Sequence, residues 1–174
     1  MNGAHLHLLV NHIPVFAVVM GLAALIWAMV RNSNDMRLAA VCLFVLAGAF
    51  GFIAAETGDK AEDIIKRMAD ISEVAKPLIH QHEEAADFAN VDAVILAVAA
   101  VAMVLIDRFK KRFFSICQIA VLVLALTASA AMARTAYLGG LIRHTEIRGD
   151  YAQPIGGAGA PVGKNVQQPE HDDD

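Results

Sequence analysis

Four stretches of the chain are almost purely apolar. Ile13–Val30 and Leu38–Ala55 carry no charge, Val91–Ile106 is broken only by Asp92, and Ile116–Ala133 has only Gln118, Thr127 and Ser129 as polar members. A helix that crosses a bilayer needs roughly 20 apolar residues, and each run reaches that length with one turn added at an end. Backbone within hydrocarbon must satisfy its own hydrogen bonds, so such runs are helices. The pattern predicts an all-α, polytopic membrane protein: four transmembrane helices in a bundle, with spans near 11–30, 38–57, 85–106 and 115–138.

Between the second and third runs the periodicity changes. Ala61, Ile64, Ile65, Met68, Ile71, Val74 and Ala75 recur at helical spacing. Asp59 followed by Glu62 has the form of a capping box, with Gly58 before it to let the chain turn. These signals predict a short amphipathic helix over 59–75, lying across one end of the spans. Pro77 suits the first turn of another helix, which runs on to Ile106 and is longer than a bilayer requires. From Gly149 the chain is rich in Gly, Pro and polar residues, so 149–174 is expected to form a tail without a core. The folded unit is therefore 1–148.

Composition agrees with the pattern. Of 174 residues, 57% are hydrophobic and 18% charged, against about 45–50% and about 25% in soluble domains. The net charge of -4 argues against a nucleic-acid binder, which usually carries a basic face. Charge placement gives an orientation. Arg31 and Arg37 flank the first short loop, and Arg108, Lys110, Lys111 and Arg112 fill the second, whereas Glu56–Glu84 is long and acidic. Positive residues in short loops mark the cytoplasmic side. Both termini and the long loop are then extracytoplasmic, in a bacterial inner membrane. Trp27, Phe109, Phe113 and Phe114 fit an aromatic belt at the inner interface. Cys42 and Cys117 read as small apolar fillers. No CxxCH, P-loop, dinucleotide-binding glycine motif or Ser/His/Asp arrangement occurs. A transporter is disfavoured by the lack of discontinuous spans or a clear internal repeat.

In this topology all seven histidines fall on the outer side. His5, His7 and His12 precede or open the first helix, His80 and His82 open the third, His144 follows the fourth, and His171 is in the tail. Histidines at an interface often only hydrogen-bond water or headgroups, so the signal lies in their co-location. Two chemistries fit. Neutral imidazoles from facing helices can ligate haem b. For that reading His12 and His82 are the first axial pair, with His5 and His144 as substitutes and Arg134 or Arg143 as propionate partners. Gly21, Gly48, Gly51, Gly139 and Gly140 are read as leaving room for the ring. The alternative is a non-haem site for Zn, Fe or Cu built from His5, His12, His80, Glu84 and His144.

The same residues carry a resemblance. His5-Leu-His7-Leu-Leu-Val-Asn11-His12-Ile-Pro14, the Thr57-Gly58 pair, His80-Gln-His82-Glu83-Glu84 and Gly139-Gly140-Leu-Ile-Arg143-His144 together resemble an uncharacterised bacterial four-helix membrane family, a domain of unknown function. The likeness covers roughly residues 4–148. Many members open with His-Pro where this chain has His-x-His. The resemblance implies a polytopic membrane protein that binds haem or metal, sometimes in association with cytochromes. The expectation is thus a redox module, more an electron-transfer or accessory subunit than a stand-alone enzyme. Its surroundings would be membrane lipid and other membrane or periplasmic redox subunits, without nucleic acid. The other expectations are a metal-binding membrane protein and a structural accessory subunit.

Overall fold

The computed structural model describes residues 3–66, 75–109 and 111–144, and all the regular structure among them is helical. The elements are α1 (Gly3–Val10), α2 (His12–Arg31), α3 (Asn34–Lys66), α4 (Ala75–Phe109) and α5 (Lys111–Arg143). Four segments are long and apolar enough to cross a membrane: His5–Arg31, Asn34–Ala61, Lys76–Asp107 and Arg112–Ile142. The chain is that of a multi-pass membrane protein. α2 packs on α3, α3 on α4, α4 on α5, and α5 on α2, so the contacts close into a ring, while α1 lies against α3.

α1 and α2 divide at Asn11, whose backbone is itself helical. Three residues on, Pro14 has no N–H to give to the carbonyl of Val10, so the helical ladder is interrupted there. The Asn11 N–H still donates to His7 O at 2.9 Å. The α2–α3 turn is tight. Asn32 adopts the left-handed conformation with φ 49°, and the Ser33 N–H donates to Ala28 O at 3.0 Å, closing the end of α2.

Small residues line the interior at three- and four-residue spacing. On α3 the buried stripe is Ala40, Phe44, Ala47 and Ala54; on α4 it is Ala89, Ala93, Leu96, Ala100 and Met103; on α5 it is Val121, Ala125, Ala128 and Met132. Outward positions hold large apolar groups, including Phe16, Trp27, Phe52, Phe88, Val98 and Ile116. That inversion suits a protein whose surroundings are lipid, where close packing rather than hydrophobic exclusion holds helices together.

Several expectations need correcting. α3 passes through Gly58 without a break and continues to Lys66, so no new helix starts at Asp59. A single helical glycine costs only about 1 kcal/mol, less than ending a long helix that packs well. The rest of the amphipathic segment, 67–74, and the tail, 149–174, lie outside the described residues. α4 begins at Ala75, and α5 runs on through Gly139-Gly140 to Arg143. The glycines also do not hold open a common space. Gly21 is filled by the Phe44 ring, with the place of an added Cβ 2.6 Å from Phe44 Cε1. Gly48 admits α4 around Ala93 and Ala97, and Gly51 faces Asn90 Oδ1.

The basic end holds a buried ion. Arg37, 5% exposed, donates to Asn34 Oδ1 at 2.6 Å and lies 3.8 Å from Asp107 of α4. Its guanidinium also stacks over Phe114 of α5, 4.5 Å from the ring centroid. Phe114 is therefore turned inward, while Trp27, Phe109 and Phe113 stay exposed. Cys42 is exposed rather than a core filler, and Cys117 is half-buried.

Candidate functional site

The other end of the ring carries the described histidines, and the structure sorts them. His5 on α1 is exposed. His12 opens α2 as an exposed residue beside an open apolar hollow formed with Phe16, Met20, Leu43 and Leu46. His80 is exposed, with Glu83 and Glu84 at 3.9 and 3.6 Å, which occupies the two carboxylates locally. His144 is exposed just beyond α5, its N–H donating to Gly140 O at 2.8 Å. Arg134 is exposed on α5, and the side chain of Arg143 lies outside the described residues. Among the described residues no three His, Cys, Asp or Glu are gathered to hold a metal ion. The set His5, His12, His80, Glu84 and His144 is thus not assembled.

Two histidines behave differently. His7 and His82 are both half-buried, and each is bound to the backbone of a neighbouring helix. His7 Nδ1 lies 3.0 Å from Ala54 O on α3. His82 Nδ1 lies 3.0 Å from Thr135 O on α5. A carbonyl can only accept, so in both rings Nδ1 carries the hydrogen. In the neutral ring Nε2 is then the free lone pair. This arrangement is the one that orients a histidine as a ligand: the distal N–H is anchored, the ring plane is fixed, and the basicity of Nε2 is raised.

Each ring rests on a glycine four residues beyond its carbonyl. A Cβ added to Gly58 would stand 3.3 Å from His7 Cε1, and one added to Gly139 would stand 3.2 Å from His82 Cε1. The helix backbone is bare where the imidazole passes. Around His82, Leu78 and Ala85 of α4 meet Leu138 and Leu141 of α5 in a small apolar cluster that pins the two helices together. Near His7, Thr57 is buried, and its hydroxyl donates to Ile53 O at 2.8 Å. Asn11, one turn beyond His7, has a buried Oδ1 without a hydrogen-bond partner.

The sequence reading favoured His12 over His7, because many members of the family that the motifs resemble open with His-Pro where this chain has His-x-His. In the structure His7 and His82 are the histidines hydrogen-bonded to the backbone of a neighbouring helix, while His12 is exposed at the start of α2. The usable signal was the pair of glycines at the ends of the second and fourth spans. A glycine kept in a long helix, where it is mildly unfavourable, marks a close approach. Comparison of the chain with family models, with curated proteins and with solved structures returns no match.

Proposed function

We propose that this protein is an integral membrane redox module, a four-helix bundle that holds haem b between His7 and His82 at its histidine-rich end. The observation that carries the reading is the matched pair of imidazoles, each with Nδ1–H anchored on a backbone carbonyl 3.0 Å away and Nε2 left as a lone pair. Three features make the residues fit that group. The donors are two neutral imidazoles, the set that b-type haem takes in helical bundles. Gly58 and Gly139 leave cradles for the rings. Asn11 Oδ1 is a buried polar atom still without a partner. The His-rich motifs also resemble an uncharacterised four-helix membrane family, from which haem or metal binding is an expectation.

Haem b, when bound, supplies a one-electron Fe(III)/Fe(II) couple. The chain's part is to bind and orient it. Ala54 O and Thr135 O hold the ring planes, and the apolar cluster of Leu78, Leu138 and Leu141 keeps water from one side. The excess of Lys and Arg in the two short loops supports a histidine-rich end outside the cytoplasm of a bacterial inner membrane. In that position the module exchanges electrons with membrane or periplasmic redox subunits.

The deciding experiment is an absorption spectrum of detergent-purified protein, expressed with haem supplied, oxidised and then reduced with dithionite. A Soret band with resolved α and β bands on reduction, lost in His7→Ala and in His82→Ala, is the expected result. A featureless spectrum would overturn the assignment and leave a structural subunit as the reading.

A further inference from the structure

The two halves of the site use one device with one difference. In α1 and α3 the device is His7, the Ala54 carbonyl and Gly58; in α4 and α5 it is His82, the Thr135 carbonyl and Gly139. Each glycine follows its carbonyl by four residues. Three residues after the carbonyl stands Thr57 in the first half and Leu138 in the second. Both are buried, at 4% exposure each, so this is a difference inside the site.

Thr57 Oγ1 lies 2.8 Å from Ile53 O, 3.1 Å from Ala54 O and 3.4 Å from His7 Nδ1. The hydroxyl has one hydrogen. It cannot go to Nδ1, which already carries the hydrogen given to Ala54 O, so it goes to a carbonyl, and Ile53 O is nearest. A lone pair of Oγ1 then faces the His7 N–H. His7 thus donates between two acceptors, whereas the one hydrogen-bond acceptor His82 Nδ1 has among the described residues is the Thr135 carbonyl. Negative partial charge at the distal N–H raises the basicity of the opposite nitrogen. A more basic ligand stabilises the higher oxidation state of the iron it binds.

We propose that Thr57 is a positioning residue that makes His7 the more basic of the two imidazoles and so lowers the reduction potential of the site. The inference rests on the haem reading above. At 3.4 Å the contact is longer than a standard N–H···O bond, so the effect is a modest shift, not loss of the cofactor. It also predicts that the two imidazoles are inequivalent, although their anchoring carbonyls stand at the same distance.

The test uses Thr57→Val, which removes the oxygen and keeps the branched shape, and Thr57→Ser, which restores the hydroxyl. Potentiometric titration of the haem-loaded full-length protein is expected to give Thr57→Val a more positive midpoint potential than the wild type at equal haem content. Thr57→Ser is expected to match the wild type. An unchanged potential in Thr57→Val, or an equal shift in both variants, would overturn the proposal. Should Thr57→Val not fold, Thr57→Ala reads the same loss of oxygen. A second measurement is independent of haem. Side-chain ¹⁵N spectra of the haem-free protein are expected to show His7 as the Nδ1–H form, with a weaker hydrogen bond in Thr57→Val. His7 found as the Nε2–H form would overturn the role of Thr57 whatever the cofactor. A wild type that takes up no haem would overturn the haem reading and the potential shift together, with the tautomer result reported separately.

Discussion

At the residue scale the site depends on two backbone carbonyls and two missing Cβ atoms as much as on the histidines. Removing His7 or His82 should abolish haem binding, whereas His12→Ala should leave it in place, because His12 sits exposed at the start of α2; haem per protein by pyridine haemochrome measures both. The glycines give a sharper test. Gly139→Ala would set a methyl 3.2 Å from His82 Cε1 and Gly58→Ala one 3.3 Å from His7 Cε1, so each ring must give by a few tenths of an ångström. A tilted ligand costs affinity. The expected loss is about tenfold in haem affinity for either variant, equivalent to ~1.4 kcal/mol, read by competition with apomyoglobin. Unchanged affinity in both would mean that the rings are not held as described. The chemistry of this end, imidazoles gathered on one side, was legible in the residue order. The choice among them was not, since a carbonyl acceptor on another helix leaves no mark in the sequence around the histidine it anchors.

At the element scale, long helices prevail over local punctuation. Gly58, Asp59 and Glu62 make a credible helix start, yet α3 runs through them, as α5 runs through Gly139-Gly140. Packing along a whole helix outweighs a terminal signal worth about 1 kcal/mol. The same holds for charge. Arg37 belongs, by its position, with the loop residues that orient the protein, but it is buried between three helices, bound to Asn34, near Asp107 and stacked on Phe114. Arg37→Met should lower stability by about 2 kcal/mol, mainly through the lost charged hydrogen bond and the ring contact. The Asp107 side chain is 40% exposed, so the ion pair itself contributes little. A thermal melt in detergent reads the change, and an unshifted transition would show that Arg37 is only a surface charge. At Gly21, where Phe44 fills the notch, Gly21→Val should cost about 1–3 kcal/mol through overpacking. Phe44→Leu in the same chain should recover part of that loss.

At the scale of the whole molecule, the ring of helices carries an arginine cluster at one end and histidines at the other, with one buried carboxylate, Asp92, midway along α4. One end is closed by Arg37, Asp107 and Phe114, and the other holds His7 and His82. Aqueous thiol labelling of single cysteines can test the orientation of those ends. With Cys42 and Cys117 replaced, a cysteine at Asp59 or Lys76 should react in intact cells with an impermeant maleimide, whereas one at Asn32 should react only after lysis. The reverse pattern would invert the topology and place the histidine-rich end inside.

The residue order by itself determined the class of the molecule. An unbroken apolar run of bilayer length has one stable form in lipid, and four such runs make a multi-pass helical protein whatever their packing. It also determined that the imidazoles would lie at one end, because end is a matter of counting along helices. Only the tertiary structure decided which imidazoles are anchored on a neighbouring helix. That depends on how helices far apart in sequence are rotated and set against each other, and this is fixed by many small contacts between alanine and glycine faces. Those contacts bring His7 to the carbonyl of residue 54 and His82 to that of residue 135. Sequence periodicity shows which face of a helix is buried, but not which backbone atom of a distant helix will face it.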